Sequence, residues 1–372
     1  MASNIALSAF MSQARLEELL ETLEPSQPLL ILTHDNPDPD AISAASCLRY
    51  IVSKRLGIKV HIGYGGIVGR AENRTMLRLL KIQTTKISEA KIRRHKSVLL
   101  MDTQPMAGNN PLPRGVRVKG VIDHHPLRKS TRADFVDIRP DYGAVATILT
   151  EYLFASGLDI PTKLATALFY GIASETQDLG REVADADAAA YLALFPKTNK
   201  KFLSKIRRPV VTREQFAYTA RAIANAVTYK HTIATGLGRV ENPDIVAQVA
   251  EMMLTLERMT WSLATGRYKD TIMISLRTTR VKGAAGKVAR RVIGSGGTAG
   301  GHDMVAGGQM DCSGRAEKQC DEIETKLIET FFRLRGKPDS GELTPLVAVE
   351  EQKQEEKRPG ESDSTKREEV NR

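Results

Sequence analysis

The 372-residue chain is short of cysteine and of aromatic rings, with three Cys and 5% Phe, Trp and Tyr. Cys47, Cys312 and Cys320 make an odd number with no CxxC spacing, which excludes a disulfide framework and a thiolate zinc site and leaves buried or incidental thiols. So few rings argue against a stacking platform for long single strands of nucleic acid. Long apolar runs are missing too: the longest, such as 28–32 and 98–101, fall far below the roughly 20 residues of a membrane-spanning helix. The first 24 residues lack a basic start followed by an apolar stretch and soon turn acidic and helix-periodic, unlike a secretory signal. The expectation is a cytoplasmic protein with no membrane partner.

Charge is plentiful: 54 Lys and Arg stand against 44 Asp and Glu, a net +10. The balance is uneven along the chain. Residues 336–372 hold 7 basic and 10 acidic side chains, so the first 335 hold 47 against 34 and carry +13. A basic body suits a phosphorylated or polyanionic ligand. With 41% hydrophobic residues and a length worth about two domains at roughly 150 residues each, both halves can build a core. The tail from 336 has too few apolar residues to offset chain entropy and reads as a disordered charged segment.

Up to residue 195, β-rich runs alternate with helix-period segments, the pattern of an α/β, doubly wound, mainly parallel sheet. Strands are expected at 28–33, 58–63, 97–102, 118–123 and 134–138, with helices at 40–56, 71–80, 143–156, 162–174 and 185–195. The Lys-rich stretch PKTNKKFLSKIRRP then opens a helical linker over 196–230, whose long helical pattern runs 212–229. A smaller mixed α/β domain follows over 231–335, with strands at 231–240, 259–265 and 270–277. Its helices are expected at 243–256, 286–293 and 315–334, with a glycine-dense loop between the last two.

Asp and His gather at the C-terminal ends of the first domain's strands, where open α/β sheets place ligands. THDNPDPDAIS supplies His34, Asp38 and Asp40; the next strand ends in Asp102; a third ends in Asp123, His124 and His125. One crevice thus receives three of the chain's seven histidines. Taken singly, these residues also make turns and helix caps, Asp40 as an N-cap in particular. Turns, however, do not require histidine. Carboxylate mixed with imidazole and no thiolate suits a divalent ion of intermediate hardness, Mn²⁺ first, with Mg²⁺, Co²⁺ or Zn²⁺ as alternatives. The number of carboxylates suggests two ions, and such a pair serves phosphoester hydrolysis.

His34-x-x-x-Asp38-x-Asp40, Asp102 and Asp123-His124-His125 resemble the first three motifs of the DHH phosphoesterases. The fourth is similar to Gly171-Ile172-Ala173-Ser174-Glu175-Thr176, with Glu175 where the family has aspartate and Asp178 as the substitute ligand three residues on. GSGGTAGGHDMVAGG at 294–308 resembles the signature of the DHHA1 domain through Gly300, Gly301 and His302, with Val305 in place of an alanine. The resemblance implies that His34, Asp38 and Asp102 hold one ion and that Asp40, Asp102, His124 and Glu175 hold the other. It gives His125 to the scissile phosphate or to proton transfer, and Asp123 to orienting a histidine. Arg277, Gly300, Gly301 and His302 are assigned to the substrate, with the active site in the interdomain cleft. The implied group is the nanoRNase and pAp phosphatase enzymes, which hydrolyse short oligoribonucleotides or 3′-phosphoadenosine 5′-phosphate through a two-metal-activated hydroxide. Cyclic-dinucleotide or linear pNpN hydrolysis, and a catalytically weak nucleotide-binding regulator, are the competing readings. The resemblance is also compatible with a homodimer.

Overall fold

The computed structural model describes residues 2–180, 183–301, 303–337 and 341–347, with side chains from residue 11 onward. The chain divides into two compact units, residues 1–216 with 242–245, and residues 217–241 with those from 246 onward. Among the described residues no helix is long and apolar enough to cross a membrane. All three cysteines are buried free thiols.

The first unit runs α1 (Ala2–Glu21), β1 (Leu29–Thr33), α2 (Pro39–Leu56), β2 (Val60–Tyr64), α3 (Ala71–Leu80), β3 (Thr85–Lys86), α4 (Glu89–Ile92), β4 (Ser97–Met101), β5 (Gly120–Asp123) and β6 (Phe135–Ile138). It continues through α5 (Val145–Ala155), α6 (Thr162–Glu175), α7 (Asp185–Leu194) and α8 (Lys200–Arg207), and the chain leaves it within α9 (Arg213–Ala224). Six parallel strands form one sheet in the order β3-β2-β1-β4-β5-β6. Every residue of β1 and β4 is buried because both faces of the sheet are covered. Leu29, Ile31, Leu99 and Met101 enter the core beneath α1, α2, α5 and α6, while Leu30, Leu32, Val98 and Leu100 enter a second core on the opposite face with Ile92. Each such side chain contributes roughly 1.5–3 kcal/mol on leaving water. The strand order reverses between β1 and β4, which opens a crevice at their C-terminal ends. α2 starts there, N-capped by Asp38 with Pro39 in its first turn, and stops at Gly57 with φ +68°.

The second unit contains β7 (Val227–Tyr229), β8 (Thr232–Arg239), α10 (Asp244–Met253), β9 (Trp261–Tyr268), β10 (Thr271–Thr278), α11 (Ala285–Ile293), β11 (Gly297–Gly301), β12 (Val305–Asp311), α12 (Glu317–Leu334) and β13 (Thr344–Pro345). Its sheet has the order β11-β12-β10-β9-β8-β7-β13, antiparallel except for β8 beside β9, which α10 connects. Trp261, Leu263, Ile274 and Leu276 pack against Ala289, Leu327 and Phe331.

Four expectations need correction. The glycine-dense stretch at 294–308 is a strand pair, β11 and β12, rather than a loop. Its glycines are packing requirements in part: a Cβ on Gly297 would lie 2.1 Å from Gln309 O, and one on Gly301 would lie 2.3 Å from Val305 O. The helical pattern at 212–229 stops at Ala224, because Val227–Tyr229 pairs with β8. Within the expected linker, Leu203 and Ile206 of α8 are buried in the first unit's core. The tail is ordered at Thr344–Pro345, where backbone pairing to β7 and a bond from Leu346 N to Ala226 O (2.8 Å) hold it, although residues 348–372 lie outside the described ones.

Candidate metal centre

Three strand ends and the start of α2 bring the acidic and imidazole groups together. Asp102 follows β4 with φ +59°, a conformation that Asp tolerates better than most residues, and its N–H donates to Ile122 O at 2.9 Å. This turn sends its buried carboxylate between the imidazoles. Oδ2 lies 3.5 Å from His34 Nε2, and Oδ1 lies 3.5 Å from both His124 Nε2 and His125 Nδ1. His34 Nε2 is also 3.5 Å from Asp38 Oδ2. Two ligand clusters result, His34 with Asp38 and Asp102, and Asp102 with His124 and His125, and Asp102 belongs to both.

Backbone carbonyls fix two of the rings. His34 Nδ1 donates to Asp35 O at 2.8 Å and His124 Nδ1 donates to Tyr142 O at 3.0 Å, so each ring turns Nε2 toward Asp102. His125 is oriented differently. Its Nδ1 donates to Asp123 Oδ1 at 2.8 Å, and its side chain is 41% exposed against 16% for His34 and 12% for His124. Asp123 in turn accepts from Gln104 Nε2 at 2.7 Å. Gln104, which the strand-end reasoning passed over, is buried and also accepts at Oε1 from Arg128 N (2.9 Å) and Thr131 Oγ1 (2.7 Å). It stitches the turn after β4 to the turn after β5. Its only sequence signal is its place two residues beyond Asp102.

Asp40 is fully buried and sits in the first turn of α2, where Asp38 rather than Asp40 caps the helix. Its two oxygens accept from Val145 N and Ala146 N, both at 2.8 Å, and so hold the start of α5. Its Oδ2 is 4.0 Å from His124 Nε2. Glu175, the last residue of α6, is half-buried and close enough to act electrostatically on both Asp40 and His125. Asp178 is turned elsewhere, accepting from Tyr191 Oη at 3.1 Å and pairing with Arg207. Between the two candidates for the fourth motif, Glu175 is the one whose charge acts on the centre.

The electrostatics are those of a site built for cations. Burial, then Asp102, Asp38 and Glu175, push the Asp40 carboxyl well above its ordinary value. Burial disfavours the protonated form of His34, yet Asp38 and Asp102 outweigh it and raise its pKa well above the usual imidazole value. For His125 burial is likewise overcome, by Asp123, Asp102 and Glu175, which lift it to about 9. Burial opposes the charge of Asp38, but His34 and the Ala41 N–H bring it down to about 2. Asp102 Oδ1 is buried without a hydrogen-bond partner, an acceptor that protein groups leave unused. Divalent ions fit this donor set: they would take up that lone pair and offset the repulsion among four carboxylates.

In the second unit Arg277 is buried near the end of β10. Its Nη1 donates to Ser275 Oγ (2.8 Å) and Leu276 O (3.0 Å), and its Nη2 lies 3.1 Å from Glu251 Oε1, so it is not a solvated strand-end side chain. Gly301 has φ +146° and no room for a Cβ, whereas a Cβ on Gly300 would meet nothing within 4 Å. Gly300 is therefore glycine without an internal packing reason. His302 lies outside the described residues.

Residues 28–172 match the model of the DHH family, N-terminal domain, and residues 224–331 match that of the DHHA1 domain. The chain belongs to the DHH family and carries a DHHA1 domain. An "Uncharacterized protein" of Methanocaldococcus jannaschii is 33% identical over 316 residues, which cover 84% of this DHH/DHHA1 chain and 64% of that protein. A Streptococcus pyogenes protein named "Probable manganese-dependent inorganic pyrophosphatase" is 26% identical over 150 residues, 40% of this chain and 48% of its own. The chain thus spans less than two thirds of the length of either relative. Among solved structures, an exopolyphosphatase-related protein from Bacteroides fragilis shares the fold, with a TM-score of 0.66 at 14% identity over 87% of this chain and 98% of its own.

Proposed function

We propose that this phosphoesterase hydrolyses short oligoribonucleotides, 3′-phosphoadenosine 5′-phosphate, or both, with two Mn²⁺ ions. The observation that carries the reading is the pair of ligand clusters sharing Asp102, whose buried Oδ1 accepts no hydrogen bond. When bound, two divalent ions supply a water of lowered pKa and positive charge opposite the phosphoryl oxygens. His34 and Asp38 would hold one ion and His124 the other, with Asp102 common to both. Asp40 stands 4.0 Å from His124 and Glu175 acts on it through space, so both add negative charge on the second ion's side. Asp123 keeps Nδ1 of His125 occupied and so sets the ring's direction. From there the half-exposed His125 would contact the phosphate or hand a proton to the leaving oxygen.

On the substrate side we assign Gly300, Gly301, His302 and Arg277. The basic surplus of the first 335 residues supports an anionic substrate, and the shortage of aromatic rings supports a short one. Product release from 3′-phosphoadenosine 5′-phosphate, RNA dimers to pentamers, cyclic di-AMP and pyrophosphate, offered in parallel with Mn²⁺, tests the reading. Mononucleotides from the shortest RNAs together with AMP are expected. Turnover of pyrophosphate alone would replace the nucleotide substrates with the one in the streptococcal relative's name.

A further inference from the structure

The N-terminal end of α2 and the C-terminal end of α6 serve the metal centre. Their other halves, residues 46–54 and 161–167, meet the end of α3 around a cavity of about 340 Å³. Arg49, Lys54, Lys81 and Lys163 line it, with Leu80 and Ile82 as an apolar wall and no carboxylate in the lining. Among the described residues none of the four cations forms an ion pair. Arg49 is half-buried, and its Nη1 donates only to a carbonyl, Gln83 O, at 2.9 Å. Burial alone holds its pKa below the usual guanidinium value. A cation partly stripped of water and given no counter-charge leaves the fold with an uncompensated cost that a bound anion removes. The first turn of α6, which has no side-chain cap, forms part of the same lining and favours negative charge.

We propose that this cavity binds a phosphate monoester bearing an apolar group, of the nucleoside monophosphate class, at a site separate from the metal centre. Four cations and a helix start suit the phosphate; Leu80 and Ile82 suit a base; and the volume is that of a small-molecule site rather than of an inorganic ion. Arg49 lies nine positions beyond Asp40 on α2, about 14 Å along the helix. The proposal does not depend on which phosphoester the metal centre cleaves.

Equilibrium dialysis of the full-length Mn²⁺-loaded protein against AMP tests it, with Asp102→Asn to empty the metal centre. A saturable AMP site is expected to persist in Asp102→Asn and to weaken about tenfold or more, at least one charge-assisted contact's worth, when Arg49→Gln or Lys163→Glu is added. Lys163→Glu keeps the test intact should Arg49→Gln fail to fold. Absence of AMP binding in Asp102→Asn, or binding that Lys163→Glu leaves unchanged, would overturn the proposal. Inorganic phosphate should compete more weakly than AMP; equal affinity would overturn the apolar part.

Discussion

Around Asp102, groups arrive from three strand ends and from the ends of α2 and α6, and their carboxylates repel one another; around Gly300 the chain offers backbone with scarcely a side chain. In the first region fixed donors and acceptors hold the side chains: the Val145 and Ala146 N–H groups hold Asp40, Tyr142 O holds His124, and the side-chain amide of Gln104 holds Asp123. The second gets its shape from close approach, with Gly301 and Gly286 pressed together so that no substituent fits. A site for cations needs crowded, fixed charge that folding alone leaves unsatisfied. A surface that admits a polyanion's backbone needs room. Under the proposed function the comparison assigns chemistry to one sheet and access to the other, and each half of that proposal can be attacked separately.

The largest effect is expected at Asp102→Asn, which keeps a residue type that accepts the positive φ but removes the shared charge. Turnover should fall roughly a thousandfold, with loss of most Mn²⁺ by elemental analysis and an unchanged circular dichroism spectrum. Retained metal and activity would break the assignment of chemistry to the first sheet. Next, Gln104→Leu should lower turnover about 10–100-fold through Asp123 and His125, with metal content largely kept. Equal loss of metal and rate would show that Gln104 merely holds the fold.

The crowded charge also predicts how pH acts. His34 and His125 have raised pKa values in the metal-free fold, so their pairing with Asp38, Asp102 and Asp123 contributes stability that is complete below the ordinary imidazole value of 6.5. That contribution is lost as pH rises toward about 9, where His125 gives up its proton. Chelator-treated protein should therefore lose melting temperature across that window, while Mn²⁺ affinity rises because fewer protons must leave. Calorimetry in buffers of different ionisation heat should register proton release on Mn²⁺ uptake at neutral pH. A melting temperature flat from pH 6.5 to 9 would remove these imidazole pairs from the account.

Two glycines give the smallest and most discriminating effects. Gly301→Ala puts a Cβ 2.3 Å from Val305 O at φ +146° and should destabilise the protein by about 1–3 kcal/mol in chemical denaturation. Gly300→Ala meets no neighbour and should leave the denaturation midpoint unchanged. Any rise in KM for that variant then reports crowding of a ligand rather than of the fold. An unchanged KM would separate Gly300 from the substrate side.

The parts legible in the sequence were those in which side-chain chemistry and chain pattern coincide. Continuous apolar strands followed at once by Asp and His marked β1, β4 and β5 and the crevice they share, because a buried strand and a ligand site demand opposite residue types in adjacent positions. The pairing of β11 with β12 was hidden because glycine has no strand preference, so Gly300 opposite Gly307 looks like loop. β13 left no mark since two residues pairing through their backbone need no particular side chain. Gln104 was invisible for another reason: a buried amide that satisfies a carboxylate and two donors looks, residue by residue, like any other glutamine.

The left-handed turn at Asp102 narrows what evolution can do there. Asn and Gly suit that backbone geometry well, and neither carries a charge. A change to either at this position would keep the architecture while removing the charge that the two ligand clusters share. Descendants of this fold that have become pure binders should be recognisable by Asn or Gly at the end of the fourth strand, with the remainder of the crevice still in place.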